Sequence, residues 1–249
     1  TYKLMNDVTV DDETTIGSWA SSTPETPAKT LILDLNGKTI TTTDGQVFYV
    51  QTNGGLTISD SVGTGKITNN GVTSSSKNVV YVSGHFEISG GTIENTTRSG
   101  YALYVNSSGK ATISGGTIVN TGSSGYSLQV NSNASVELVD GTITNSIDGG
   151  HTVYVNGNNG SFSMSGGTIN QNSSYSSSAA IEANNTAHSV KISGGIVNSA
   201  SMGVYAAFTP VTVTGGNFET TSYAFETRKL SINPISDEDV SVKSDRGLL

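Results

Sequence analysis

The chain contains no cysteine, and this absence removes two classes of protein at once. A disulfide framework and a thiol nucleophile are both excluded. Charged residues are also scarce, at 13% of the chain, and the formal net charge is −8 with a pI of about 4.7. Because the few basic residues are not clustered, the sequence argues against nucleic acid or an anionic membrane surface as a partner.

Long apolar runs are missing as well. No stretch approaches the 18 consecutive apolar residues typical of a membrane-spanning helix, and the chain opens at Thr1 without a charged-then-apolar leader. We therefore expect a mature or excised segment of a longer chain, monomeric in itself and without a cofactor. Its richness in Ser, Thr, Asn and Gly, with little Lys, favours an extracellular bacterial protein, either secreted or attached to the cell wall.

What the chain does have is an internal repeat. The segment at residues 86–110, FEISGGTIENTTRSGYALYVNSSGK, returns in varied form at Ala111 and again at Val136, so that both steps are 25 residues. Further copies open at Leu33, Leu56, Phe162, Val190 and Val211, which gives eight copies with steps of 21 to 30 residues. A period of this length is typical of a solenoid.

Within a copy, apolar and polar residues alternate with the period of 2 that is typical of half-buried strands. Three columns carry a large apolar residue in all eight copies, and stacked coils would bury them at roughly 1.5–3 kcal/mol per fully buried side chain. The columns are Leu35, Ile58, Ile88, Ile113, Leu138, Met164, Ile192, Val213; Ile40, Ile67, Ile93, Ile118, Ile143, Ile169, Val197, Phe218; and Phe48, Val80, Leu103, Leu128, Val153, Ile181, Val204, Phe225.

Three short strands at matched places in every copy predict that each strand pairs in parallel with its counterpart one coil later. The predicted fold is all-β, a right-handed parallel β-helix of about eight full coils, its handedness following the strong bias of parallel crossovers. We expect one domain, with an N-terminal cap at residues 1–32, repeats at 33–231, and a C-terminal cap or tail at 232–249. Stacked inward Ile93, Ile118 and Ile143 are the test of this alignment.

Each predicted cap contains residues with two possible interpretations. Trp19, the one tryptophan, is interpreted as a plug over the open end of the apolar core, with ligand stacking as the alternative. The acidic run Asp237, Glu238 and Asp239 is interpreted as part of a solvated cap. A calcium site is the alternative, although no EF-hand or glycine-rich calcium repeat accompanies the run.

The GGTI motifs and the LDLNGKTI at Leu33 resemble the repeats of the pectate-lyase-like superfamily, and of large secreted or cell-surface bacterial proteins, many of them adhesin-like. The resemblance covers about residues 33–231 and implies the fold, while leaving the activity open because one solenoid hosts many activities. Superfamily members that cleave polysaccharides use a calcium-bound acidic cluster with an Arg or Lys base, or convergent carboxylates. Neither pattern is evident in this sequence.

The best catalytic candidates are Glu182 and Glu226, which the alignment places on one outward row two coils apart. Their Cα atoms would be about 9.6 Å apart, near the upper end of the carboxylate separation of inverting glycosidases. Tyr205 would lie between them. The alternative is that both are solubilising surface charges. The histidines His85, His151 and His188 sit at unrelated places in their coils and predict no metal site.

A tyrosine row is the main candidate for binding. The outward residues between two inward columns include Tyr49, Tyr81, Tyr104, Tyr154 and Tyr205, interrupted by Gln129 and Glu182. We expect small neighbours such as Ala102 and Ser127 to leave the rings clear of the surface, over about 29 Å. Such a row could bind a host glycan or protein, or could equally stabilise the sheet through like-residue pairing between coils.

The sequence therefore predicts a non-catalytic extracellular binding or adhesion segment. A polysaccharide lyase or glycoside hydrolase is the alternative. Ice binding is a third hypothesis, which depends on the outward threonines Thr39, Thr92, Thr117, Thr142 and Thr168. A column of asparagines at Asn69, Asn95, Asn120 and Asn145, continued by Gln171, Ser199 and Thr220, is interpreted as a hydrogen-bonded ladder at a corner of the solenoid.

Overall fold

The computed structural model describes residues 1–20, 24–42, 45–69, 78–106, 108–183, 189–233 and 239–247. Within these ranges the chain consists of strands, turns and bends, and none of it forms a helix long and apolar enough to cross a membrane. His188, Asp237 and Glu238 lie outside the described residues.

The described residues form 25 strands. These are β1 (Tyr2–Lys3), β2 (Val8–Val10), β3 (Thr14–Ile16), β4 (Lys29–Asp34), β5 (Thr39–Thr42), β6 (Phe48–Val50), β7 (Gly54–Ser59), β8 (Lys66–Asn69), β9 (Val80–Val82), β10 (His85–Ile88), β11 (Thr92–Asn95), β12 (Leu103–Val105), β13 (Lys110–Asn120), β14 (Leu128–Val130), β15 (Ser135–Asn145), β16 (Val153–Val155), β17 (Ser161–Met164), β18 (Thr168–Gln171), β19 (Ala179–Ala183), β20 (Ser189–Ser199), β21 (Met202–Ala206), β22 (Val211–Thr220), β23 (Phe225–Thr227), β24 (Leu230–Ile232) and β25 (Val240–Ser244).

The strands stack in three rows and make a parallel β-solenoid of about eight turns, as predicted. The third row is a separate nine-stranded sheet that runs from β3 to β23. The first and second rows merge into a 16-stranded sheet. They merge because β13, β15, β20 and β22 continue through the bend between the rows as single strands of 10 or 11 residues.

The alignment test is met. Ile93 pairs with Ile118 and Ile118 with Ile143 in parallel register, and all three side chains are fully buried. The third-row column behaves in the same way, with Leu103 paired to Leu128 and Leu128 to Val153. These columns form one continuous apolar core along the axis of the solenoid.

The predicted register of the first copy is wrong by two residues. Leu33, rather than Leu35, pairs with Ile58. A shift of two residues keeps every side chain on its side of the strand, so an alternating pattern cannot exclude it. Leu35 lies just beyond β4 and is fully buried at the bend, where a Cβ on Gly65 would come within 2.5 Å of its own Cβ.

The segment expected to be an N-terminal cap contains strands that belong to the repeat. β1, β2 and β3 pair in parallel with β4, β5 and β6, respectively. The predicted end plug is wrong, because Trp19 is 76% exposed. The amides of its neighbours Ser18 and Ala20 donate to side chains of Asn53 and Thr52, which holds this stretch beside the next coil and turns the indole toward solvent.

At the other end, β25 forms from Val240 to Ser244 within the segment expected to be a cap or tail. It pairs with the second half of β22, and β24 pairs with the first half. The chain therefore continues the strand rows here too, beyond residue 231.

Two devices turn the chain at its corners. At the bend between the first and second rows, Gly116 has a φ of 75°, and a Cβ there would lie 2.6 Å from the carbonyl oxygen of Gly91 in the previous coil. After the second row comes the asparagine ladder, whose hydrogen bonds between side chains are confirmed from Asn69 to Asn120, while Asn145 and Gln171 donate to backbone carbonyls. Asn69 Nδ2 donates to Asn95 Oδ1, and Asn95 Nδ2 donates to Asn120 Oδ1, both at 2.7 Å.

Candidate functional site: an aromatic face on the third strand row

The outward residues of the third row have the register that the sequence predicts. Each pairs with its counterpart one coil later along the whole nine-stranded sheet. In order, the row is Thr15, Tyr49, Tyr81, Tyr104, Gln129, Tyr154, Glu182, Tyr205 and Glu226.

The rings in this row lean on one another along the solenoid axis. Tyr49 meets Tyr81 edge-on at a centroid distance of 5.0 Å, and Tyr81 contacts Tyr104 at 5.1 Å. Their hydroxyls are also engaged, because Asn106 Nδ2 donates to the Tyr81 hydroxyl at 2.7 Å and Asn131 Nδ2 donates to the Tyr104 hydroxyl at 2.6 Å. Each donor comes from the loop of the following coil, so the two rings are tied across neighbouring coils.

The expectation that small neighbours leave the rings clear of the surface is wrong. Ala102, Ser127 and Thr152 are fully buried, and the tyrosines are only partly exposed. β12, β14 and β16 are three residues long, so the residue before each strand belongs to a turn, where alternation no longer holds. Ser127 and Thr152 use their hydroxyls inward, donating to backbone carbonyls of the second row.

A second line of rings, which the sequence reasoning missed, lies beside the tyrosine row. Tyr101, Tyr126 and His151 each stand in a turn, three residues before an outward row position. Tyr101 stacks on Tyr126 at 5.6 Å, and Tyr126 contacts His151 at 5.3 Å. Their constant spacing of 25 residues is a signal that the sequence does contain.

The two lines of rings are in contact with each other. Tyr101 contacts Tyr104 at 5.5 Å, and Tyr154 contacts both Tyr126, at 4.7 Å, and His151, at 5.9 Å. The result is an unbroken set of rings across successive coils, which we call the aromatic face. Its members are Tyr49, Tyr81, Tyr101, Tyr104, Tyr126, His151 and Tyr154.

The asparagine ladder helps to position the turns that carry the second line. Asn95 Nδ2 donates to the carbonyl of Gly100, next to Tyr101, at 3.1 Å. Asn145 Nδ2 donates to the carbonyl of His151 itself at 2.7 Å. Because these asparagines are fully buried, the turns that present the rings are anchored to the interior of the solenoid.

The candidate catalytic residue Glu182 is paired with His151. Glu182 Oε2 lies against His151 Nε2, and the two residues are only 9% and 8% exposed. The backbone N–H of Ala179 donates to His151 Nδ1 at 3.2 Å, so the ring proton belongs on Nε2, where it is donated to the carboxylate. Glu182 is therefore not the solvated surface charge of the alternative interpretation.

Tyr205 and Glu226 follow Glu182 in register on the same outward row, so Glu182 and Glu226 are two coils apart with Tyr205 between them, as predicted. Tyr205, Glu226 and Arg228 line a separate cavity of about 310 Å³. His85 is in the first row, where its Nε2 contacts the carbonyl oxygen of Pro24 at 2.6 Å. Among the described residues, no group of three or more His, Asp or Glu side chains is placed to hold a metal ion.

Burial tunes the tyrosine hydroxyls of the aromatic face. The pKa values of Tyr101, Tyr104 and Tyr154 are all raised above the ordinary value of a tyrosine, and burial is the largest cause in each case. Burial raises the pKa of Tyr126 to about 12, with smaller contributions from Tyr154, the Glu182 carboxylate and Tyr101. These phenols are therefore neutral at ordinary pH, and the face offers rings and neutral hydroxyls beside one carboxylate.

The threonine rows of the ice-binding hypothesis lie on the second row. Thr92, Thr117, Thr142 and Thr168 follow one another in register, with Lys66 before them and Ile196 after them. Lys66 separates Thr39 from the other four threonines. The row is therefore regular over four coils only.

The chain is a parallel β-solenoid whose third strand row carries the aromatic face. No protein-family model, no curated protein and no solved structure matches this chain.

Proposed function

We propose that this solenoid is a non-catalytic binding segment of an extracellular bacterial protein, secreted or attached to the cell wall, and that it recognises a glycan or a host protein through the aromatic face. The observation that carries the proposal is the unbroken contact of six partly exposed tyrosine rings, with the buried His151 ring packed against two of them. Tyrosine suits such a role because it combines apolar area, few rotatable bonds and a polar tip.

Stabilisation of the sheet explains only part of this face. Like-residue pairing between adjacent strands accounts for Tyr49, Tyr81 and Tyr104, which pair in register. It does not account for Tyr101 and Tyr126, because these residues lie in turns and take no part in strand pairing. From Tyr49 to Tyr154 the row rises through four coil steps, or about 19 Å, which is long enough for an extended ligand.

The kinship with adhesin-like and pectate-lyase-like proteins belongs to the same proposal. It is supported by the GGTI repeats and by the parallel solenoid that they form. It agrees with a surface that binds without reacting, because adhesive segments need area and regular spacing.

The test is a double variant, Tyr104→Ser with Tyr154→Ser. Immobilised glycans and host surface proteins would first be screened for binding to the unaltered chain. The double variant should lose at least tenfold in affinity for any ligand found, while its melting temperature changes little. A matched control is Tyr2→Ser with Tyr175→Ser, because these tyrosines are 69% and 55% exposed and lie outside the face. If melting collapses while affinity persists, the face is scaffold and the site lies elsewhere.

The buried contact between His151 and Glu182 favours a second candidate, a polysaccharide lyase or glycoside hydrolase, because an acid and a base held beside aromatic rings is an arrangement used in sugar chemistry. The candidate is tested by incubating the protein with pectins, alginates and host glycans. New reducing ends or unsaturated products that disappear in Glu182→Gln would establish it in place of the binding role.

A further inference from the structure

Gln129 interrupts the aromatic face at its centre. It pairs in register with Tyr104 on one side and with Tyr154 on the other, at a position where Tyr49, Tyr81, Tyr104 and Tyr154 all carry a ring. Its side chain is only 5% exposed, and among the described residues its Oε1 is buried without a hydrogen-bond partner.

Four rings in mutual contact border this position. Tyr104 and Tyr154 are its strand partners in register, and Tyr101 and Tyr126 connect these two rings beside the strand row. The chain of contacts runs from Tyr104 to Tyr101 at 5.5 Å, from Tyr101 to Tyr126 at 5.6 Å, and from Tyr126 to Tyr154 at 4.7 Å. We call these four residues the tyrosine frame; Gln129 closes it.

An unpaired buried acceptor is unfavourable for the folded chain. Leaving such a group without a partner costs about 1–3 kcal/mol, and native proteins leave few of them. A tyrosine at this position would instead continue the contacts that Tyr49, Tyr81 and Tyr104 make. Stability therefore does not explain Gln129, whereas a hydrogen-bond donor brought by a ligand does.

A groove that adjoins two rings of the frame indicates the chemistry of that ligand. Tyr101 and Tyr126 also line a groove of about 340 Å³, together with Ser99, Ser124 and Asp148. Aromatic walls beside hydroxyl and carboxylate acceptors match a sugar ring, which presents an apolar C–H face and hydroxyl donors. Among the residues that the structure describes, no Lys or Arg lines this groove. Asp148, Glu182 and the net charge of −8 disfavour an anionic ligand.

We propose that the tyrosine frame is a subsite for one neutral hexose unit of a glycan, and that a hydroxyl of this sugar donates a hydrogen bond to Gln129 Oε1. The inference rests on the proposed binding function and names its ligand class. Tyr101 and Tyr126 open the frame by rotating their side chains while their turns stay anchored, whereas Tyr104 and Tyr154 are held in strands and Asn131 donates to the Tyr104 hydroxyl. Rotation of a surface ring is fast on the timescale of binding.

The decisive variant is Gln129→Met, which removes the acceptor and keeps the length of the side chain. The probes are hexasaccharides of β-1,4-glucan, β-1,3-glucan, β-1,4-mannan and β-1,4-galactan, with oligosaccharides of polygalacturonate and alginate as anionic counterparts. Binding is measured by titration calorimetry, and stability by thermal unfolding. We expect at least one neutral hexasaccharide to bind, at least a tenfold loss of its affinity in Gln129→Met, and no fall in melting temperature.

Gln51→Met is the matched control, because Gln51 is a partly buried glutamine that directly follows β6 of the same sheet and lies outside the frame. It should bind as the unaltered chain does. Tyr126→Ala is a second test that does not depend on Gln129. Because it removes one ring of the frame, it should also lower the affinity for the neutral hexasaccharide at least tenfold.

The outcomes separate this inference from the function on which it rests. If only anionic glycans or only a protein bind, and do so in a manner that needs Tyr104 and Tyr154, the neutral-sugar subsite is wrong and the binding function stands. If a neutral hexasaccharide binds equally well to Gln129→Met, the assignment of Gln129 is wrong. If binding survives the Tyr104 and Tyr154 double variant, both proposals fail.

Discussion

The second and third strand rows are alike on their inner sides and different on their outer sides. Inside, Ile118 and Leu128 are both fully buried in columns that repeat coil after coil. Outside, the second row presents threonines and the third presents the aromatic face. The same coil geometry therefore supports two unrelated surfaces, which shows that the core determines the fold and leaves the outer positions available for other roles.

The two outer surfaces are also built differently. The threonine row consists of strand residues only. The aromatic face joins strand residues to the turn residues Tyr101, Tyr126 and His151, and the asparagine ladder holds these turns. A binding surface that includes turns can change with loop sequence while the strands remain paired.

The largest expected effect is a loss of stability on truncating core side chains, and it tests whether the second and third strand rows share one core. Ile118→Ala and Leu128→Ala each leave a cavity in the core, so each should lower the free energy of unfolding by about 2–5 kcal/mol, measured by chemical denaturation. Ile196→Ala is the matched control, because Ile196 is 40% exposed on the second row, and it should cost about 0.5 kcal/mol or less. A small loss for only one of the two core variants would show that the rows do not share one tightly packed core.

A smaller loss of stability is expected when the asparagine ladder, which holds the turns of the aromatic face, is cut. Asn95→Ala removes a side chain that accepts from Asn69 and donates to Asn120 and to the Gly100 carbonyl. We expect a loss of about 1–3 kcal/mol from the buried groups left unpaired, and weaker ligand binding because the turn of Tyr101 loosens.

Asn172→Ala is the control for the ladder, because Asn172 is an exposed asparagine directly after ladder residue Gln171. Equal stability for the two asparagine variants would contradict the ladder's role in holding the turns.

The sequence predicted the columns, the ladder and the register of the tyrosine row, because each depends on residue type repeated at matched positions. It misplaced the first copy, because the alternation at Leu33 and Leu35 is unchanged by a shift of two residues. The exposure of Trp19 depends on hydrogen bonds from Ser18 and Ala20 to the neighbouring coil, which no local pattern reveals.

The least predictable features were those at turns. Tyr101, Tyr126 and His151 recur every 25 residues, but strand alternation says nothing about the direction of a turn side chain. The pairing of His151 with Glu182 joins a turn of one coil to a strand of the next, so it follows from how the coils stack and not from the sequence of either segment alone. Side-chain direction at turns is thus the part that required the structure.

The smallest expected effect tests, through the pH dependence of stability, whether the aromatic face buries its hydroxyls. The raised pKa of Tyr126, about 12 in the folded chain against an ordinary 10, means that the folded state holds the phenolic proton more tightly than the unfolded state. The contribution to stability is therefore complete below about pH 10 and is lost as the pH rises through about 12. Denaturation midpoints should fall across this window, and Tyr126→Phe should fall less steeply because phenylalanine cannot ionise. Tyr175→Phe, which alters an exposed tyrosine outside the aromatic face, is the comparison.

If Tyr126→Phe follows the same alkaline profile as the unaltered chain, the Tyr126 hydroxyl is not held neutral by the face. The buried frame of rings around Gln129 is then less enclosed than the structure shows.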